Sequence, residues 1–296
     1  MTKYLELATA TDDRIAIGAE GEAAIFILAR LSALMGLPLN DSTAAAPRLT
    51  LYSPDFRPPE LNESPAATYA GYDIYPQPGH LRLCLVPNHL EVLELARVRF
   101  PLMAVLMQAV MDNMPCILFH GSMLEDSDGG AILLVASSGV GKSTSARRFS
   151  EAGGVAHFDD QMLLCRKKEG DSVRFYAHGL PTWSRVFEKG YDGNVFPFQP
   201  PRPVKNIYCL SRGTDREEIR PLPLPIWHGH LVAAMLEHLI WPEAILDTDE
   251  KLRLASICWK FVESMDEVFL PMELAAHLGF NLKKTLAAAP AQLKNA

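Results

Sequence analysis

The chain has 296 residues, with 28 Lys+Arg against 35 Asp+Glu for a formal charge of −7, and 48% of it is apolar. That balance excludes a disordered polyelectrolyte and gives enough chain for one large domain, or one domain with an appendage. The acidic sum also argues against nucleic acid as a partner, because non-specific binding needs basic surface to displace counterions.

In chain order, residues 1–13 show no basic segment followed by an apolar one, so no signal peptide is read. The apolar stretch Gly21–Leu34, ended by Gly36 and Pro38, predicts a helix. Arg48–Tyr52 and His80–Val86 read as strands, and the proline-rich Ser53–Pro65 between them as a loop. Asn88-His89 opens a longer helical pattern that reaches Met111, with a kink expected at Pro101. Its most apolar part, Phe100–Met111, contains Gln108 and is too short to cross a bilayer, so no membrane partner is expected.

From Pro115 onward, strands and helices alternate. Cys116–His120 is a strand, Glu125–Gly130 an acidic turn, Ala131–Val135 a second strand, and Lys142–Ala152 a helix after a glycine-rich loop. Further strands are expected at Val155–Phe158, Met162–Cys165, Val173–Ala177 and Asn206–Leu210, with Pro197–Pro203 as a connection. Ile226–Ile240 and Asp249–Met265 read as helices. The predicted fold is α/β, with a smaller N-terminal α/β extension of unassigned role over residues 1–88. Residues 89–296 form a second domain with a helical C-terminal part. The five cysteines are scattered and form no CxxC pair, so they read as small buried hydrophobes in a reducing cytoplasm.

The segment from Ala131 to Thr144 carries the clearest chemistry. A β-strand runs into Ala136-Ser-Ser-Gly-Val-Gly-Lys-Ser143 and then a helix, which matches the Walker A pattern GxxxxGK[ST] with Ala136 in place of its first glycine. Small residues let consecutive backbone N–H groups converge on phosphate oxygens, and the helix N-terminus adds partial positive charge. Residues Ser137, Ser138, Gly139, Val140, Gly141, Lys142, Ser143 and Thr144 are therefore the expected nucleotide contacts. Lys142 would reach the β- and γ-phosphates, and the Ser143 hydroxyl would ligate Mg²⁺.

After that helix, Asp159-Asp160 follow the short apolar stretch ending at Phe158. A carboxylate at a strand end facing such a loop is the usual magnesium-side acid. Two in a row allow one to orient the metal while the other takes the proton of an attacking hydroxyl.

His120-Gly121 on a strand, the loop Ala136–Ser143, and Asp159-Asp160 together resemble the catalytic half of HPr kinase/phosphorylase, which shares its P-loop core with phosphoenolpyruvate carboxykinase. The segment His178-Gly-Leu-Pro-Thr-Trp-Ser184 and the strand end Tyr208-Cys-Leu-Ser-Arg-Gly213 are similar to the HPr-kinase-related proteins of peptide-modification gene cassettes, the SynChlorMet cassette protein ScmC type. The likeness runs from about His120 to Pro221. It implies a P-loop kinase core with ATP and Mg²⁺, Asp159 as acid/base on an acceptor hydroxyl, and Asp160 supporting the metal. His120 would lie beside the transferred phosphoryl, and Arg212 would supply charge to the γ-phosphate. The Arg-Gly-rich signature that follows the aspartates in HPr kinases is absent here, so the dephosphorylating half of that family's activity is not implied.

Several other groups read as structural. His228, His230 and His238 lack a neighbouring cysteine or a suitably placed acid for a metal. Arg147-Arg148 and Glu217-Glu218 read as solvated pairs, and Trp183 as core packing. The functional expectation is an ATP-dependent kinase acting on a Ser/Thr hydroxyl of a peptide or small protein; the sequence leaves homo-oligomer formation open. The alternatives keep the core and change its use: a small-molecule kinase, or an ATP-binding regulatory module without phosphotransfer.

Overall fold

The computed structural model describes residues 1–61, 64–87, 94–183, 198, 200–213, 217–237, 246–276 and 281–293. The chain divides into two compact units. One comprises Met1–Ile117 with Trp183–Phe198 and Leu239–Leu254, and the other the remainder.

The first unit is built on a seven-stranded sheet. Its strands are β1 (Thr2–Ala8), β2 (Arg14–Glu20), β3 (Leu39–Asn40), β4 (Leu49–Tyr52), β5 (Ala67–Tyr69), β6 (Tyr72–Gln77) and β7 (His80–Leu85), in the order β3-β1-β2-β4-β7-β6-β5. The three strands β2, β4 and β7 run parallel, and antiparallel pairs flank them. Helix α1 (Glu22–Met35) fills the crossover between β2 and β4, and buries Ile27, Leu28, Leu31 and Leu34. Its N-terminus is capped from a distance. Gly21 has no side chain to cap with, and the fully buried Ser53 at the end of β4 accepts the Ala24 N–H at 2.9 Å. Gly36 ends the helix in the left-handed conformation, as the sequence predicts.

Helix α2 (Glu94–Met111) packs on α1 and on the sheet and runs through Pro101. The start expected at Asn88-His89 lies outside the described residues. Ser53–Pro65 holds two short 3₁₀ turns, Pro54–Phe56 and Pro59–Leu61.

The second sheet contains β8 (Cys116–Glu125), β9 (Ala131–Val135), β10 (Ala156–Glu169), β11 (Ser172–Gly179), β12 (Arg202–Arg212), β13 (Glu218–Pro221) and β14 (Met272–Ala276), in the order β11-β10-β8-β9-β12-β14-β13. Strands β9, β12 and β14 are parallel, so their carboxyl ends lie together at one edge of the sheet. The helices of this half are α3 (Lys142–Glu151), α4 (Leu224–Leu236), the later part of α5 (Thr248–Glu263), whose residues up to Leu254 fall in the first unit, and α6 (Leu282–Leu293). The α3 face formed by Ala146 and Phe149 packs with Leu134, Tyr208, Leu274 and Leu282 in one apolar cluster.

The chain is thus mixed α/β, and three expectations need correction. The strands expected at Val155–Phe158 and Met162–Cys165 are one continuous strand, β10, so Asp159 and Asp160 sit within a strand rather than at its end. Their charges interrupt the apolar run but not the strand, and Ser122 and His120 meet their side chains. The C-terminal part is not wholly helical. Its Met-Glu-Leu-Ala-Ala segment has helix-favouring residues, yet pairing beside β12 makes it β14. The third correction concerns Arg148 and Glu217, read above as solvated. They form a 2.6 Å ion pair whose side chains are 11% and 1% exposed. The five cysteines are buried thiols outside any disulfide, as expected. Burial pushes the thiols of Cys209 and Cys258 up to about 12, which keeps them protonated and unreactive. Among the described residues no helix is long and apolar enough to cross a membrane.

Candidate active site

The glycine-rich loop leaves the carboxyl end of β9 and enters α3 at Lys142, with the boundaries the sequence predicts. Gly139 and Gly141 have φ of +80° and +119°, and a Cβ added at either would meet nothing within 4 Å. Glycine is needed there for backbone angle, and the space above the loop is open. Ser137, Ser138 and Gly139 are exposed, whereas Ala136 is buried in the core with Leu134 and Ala146. A buried Ala136 explains why this position accepts a Cβ.

The Lys142 ammonium donates to the carbonyls of Ala136 at 2.7 Å and Ser137 at 3.4 Å. The side chain folds back over its own loop, and the residue is only 7% exposed. Burial lowers its pKa from the ordinary lysine value, against the opposing charges of Glu237, Asp159 and Asp160. Lys142 is thus a buried cation at a helix start, in the field of three carboxylates.

Strand β8 brings His120, Gly121 and Ser122 to the same end of the sheet. A Cβ at Gly121 would lie 2.7 Å from the Leu134 carbonyl oxygen, so only glycine allows β8 to run this close to β9. Ser122 donates to Asp159 Oδ1 at 2.6 Å, and His120 Nδ1 lies 3.5 Å from Asp160 Oδ1. On the other side of the imidazole, Nε2 lies 3.9 Å from Glu237 Oε2, just past the end of α4. From the parallel neighbour β12, Arg212 reaches across to donate to the Gly139 carbonyl at 2.7 Å. A cavity of about 200 Å³ separates residues 136–138 of the loop from the end of α4.

Most of the predicted residues therefore converge. Lys142, Asp159, Asp160 and His120 form one electrostatic cluster, and Arg212 contacts the loop itself. Ser143 is exposed on the first turn of α3 and Thr144 is half-buried beside it. Neither has a side-chain bond to the aspartates that would fix a metal geometry. Among the described residues no group of three or more His, Cys, Asp or Glu side chains is close enough to hold a metal ion. Mg²⁺ needs no such group, because it commonly takes one or two protein oxygens and completes its shell with phosphate and water. His228 is engaged by Asp266 at 2.8 Å, and His238 and Ser184 lie outside the described residues. Trp183 is buried, with the Arg99 guanidinium 5.9 Å from its ring centroid.

Two residues escaped the sequence reading. Ser122 lies two positions from His120 on the same strand face, so its alternation was visible. Glu237 had no local signal, because only the fold brings it to His120.

The profile of the SynChlorMet cassette protein ScmC matches residues 83–256, more than half of the chain. The chain belongs to the ScmC family. The range matched to ScmC begins within β7 and contains every residue of the cluster, from His120 to Glu237. No curated protein matches the sequence. Among solved structures, the Hpr(Ser) kinase/phosphatase from Coxiella burnetii is similar over 60% of this chain and 93% of that one, at 12% identity and a TM-score of 0.29.

Proposed function

We propose that this ScmC-family chain is an ATP-dependent phosphotransferase that moves the γ-phosphate to a Ser or Thr hydroxyl of a peptide or small protein. One observation carries the reading: the buried Lys142 ammonium at the mouth of an open glycine-rich loop, within the field of the adjacent Asp159 and Asp160.

The backbone N–H groups of residues 137–143 would cradle the phosphates, and Lys142 would exchange the carbonyls of Ala136 and Ser137 for phosphate oxygens. Arg212, which already crosses to Gly139, adds charge from the neighbouring strand. Ser143 and Asp160 would hold Mg²⁺, which supplies charge neutralisation on the phosphates. Asp159 takes the proton of the acceptor hydroxyl as its oxygen bonds to the γ-phosphorus and the bond to the bridging oxygen breaks, leaving ADP. Ser122 keeps that carboxylate oriented, and the His120 imidazole, flanked by Asp160 and Glu237, would hold a phosphoryl oxygen. Catalysis of this kind is positioning and charge compensation, which matches what these residues offer.

The test is transfer of label from γ-³²P-ATP to a serine- and threonine-containing peptide library, followed by intact mass. Wild type should label peptide, and Lys142→Ala should not. Equal labelling by both proteins would remove the proposal.

A further inference from the structure

The third carboxylate, Glu237, has no part in the transfer chemistry, yet it borders the cavity beside the glycine-rich loop. Its backbone N–H donates to the Ala233 carbonyl at 2.8 Å, so the residue continues the last turn of α4 and its side chain has a fixed origin. Its carboxylate lies 3.9 Å from His120 Nε2, opposite Asp160. It also lines the cavity of about 200 Å³ between Ala136–Ser138 and α4. At about 30 Å³ per water, that volume holds on the order of seven waters, enough for a phosphoryl group with part of its hydration. A drug-sized ligand needs more than this. Ala233 and Ala234, one turn earlier on the same helix, keep that wall of the cavity short beside Glu237.

We propose that Glu237 is a specificity-determining residue, an internal counter-ion that sets the affinity of this site for a nucleoside triphosphate relative to a diphosphate. The inference rests on the phosphotransferase reading above. The carboxylate faces the His120 imidazole and, of the three carboxylates, acts most strongly on Lys142. A terminal phosphate entering the cavity meets that like charge and has to displace it. A diphosphate stops short of the cavity and does not.

Calorimetric titration of the full chain with ATPγS and with ADP, each in excess Mg²⁺, tests this. Glu237 is partly exposed, so its influence is screened, and Glu237→Gln should tighten ATPγS by about fivefold. ADP affinity should stay within about twofold, and Glu237→Asp, which keeps the charge, should retain the wild-type ratio. An unchanged ATPγS-to-ADP ratio in Glu237→Gln would overturn the inference. So would weaker ATPγS binding, the result expected if Glu237 held the metal. Wild type that binds neither nucleotide would remove the phosphotransferase reading itself, and this inference with it.

Discussion

The fully buried Ser122 hydroxyl donates to Asp159 Oδ1 at 2.6 Å, joining β8 to the carboxylate assigned to the acceptor proton. A hydrogen bond to a charged group contributes about 1.5–3 kcal/mol, and here it fixes which way the carboxylate points. Ser122→Ala should lower phosphate transfer by about tenfold, with Mg·ATP affinity unchanged. Single-turnover transfer and nucleotide titration, run side by side, check this. A loss confined to nucleotide affinity would place Ser122 outside the proton-transfer step.

Gly121, one residue earlier, answers to a different constraint. An alanine Cβ there would stand 2.7 Å from the backbone oxygen of Leu134, which has no freedom to move aside. Gly121→Ala should destabilise the fold by about 2 kcal/mol, because β8 must part from β9. Urea denaturation would show the lowered midpoint, and an unchanged midpoint would mean the strands are not held this close in solution.

Pro101 lies inside α2 and cannot donate to the carbonyl four residues earlier, Arg97. The fully buried Tyr72 hydroxyl donates to that carbonyl instead, at 2.7 Å. Tyr72→Phe should cost about 1 kcal/mol in the wild-type background. In a Pro101→Ala background, where the helix supplies its own N–H, the same change should cost less. A double-mutant cycle measured by denaturation decides it.

Arg148 on α3 pairs with Glu217, whose other oxygen accepts the Thr285 hydroxyl of α6 at 3.1 Å. Arg148→Met leaves a buried carboxylate without its cation and should cost about 3 kcal/mol. Replacing both partners, Arg148→Met with Glu217→Leu, should recover most of that loss, because the cost lies in the orphaned charge. Chemical denaturation of the three variants measures it.

These residues show where the sequence was legible. Strand β9, the loop and the start of α3 were readable to the residue because their signal is local: an apolar run, two glycines, and a lysine opening a helix. Helix α1 and its Gly36 stop were legible for the same reason. The hairpin β1–β2, two strands of seven residues each, was not read from the sequence. Strand β10 was read as two, because Asp159 and Asp160 break its apolar pattern while the strand continues. Glu237 and the Arg148–Glu217 pair were illegible in principle. Their partners lie far along the chain, and a charged residue that the fold buries looks the same in sequence as one in water.

The His80 imidazole accepts or donates a 3.0 Å hydrogen bond with Thr50, and burial, with Arg82 second, lowers its pKa from the usual 6.5. The folded state therefore binds this proton less readily than the unfolded chain. Stability from this group is complete above about pH 6.5, declines as pH drops below it, and is lost as pH falls through the lowered folded value. Thermal melts at pH 7.5 and at acidic pH should show a larger decline for wild type than for His80→Gln. Equal declines would assign the acid sensitivity to other groups.

The most direct measurement is titration of Mg·ATP into wild type and Lys142→Ala. The geometry of the loop predicts saturable binding by wild type and a loss of at least about tenfold in the variant, with its melting temperature preserved. Equal affinity in the two proteins would contradict the assignment of this loop as a nucleotide site.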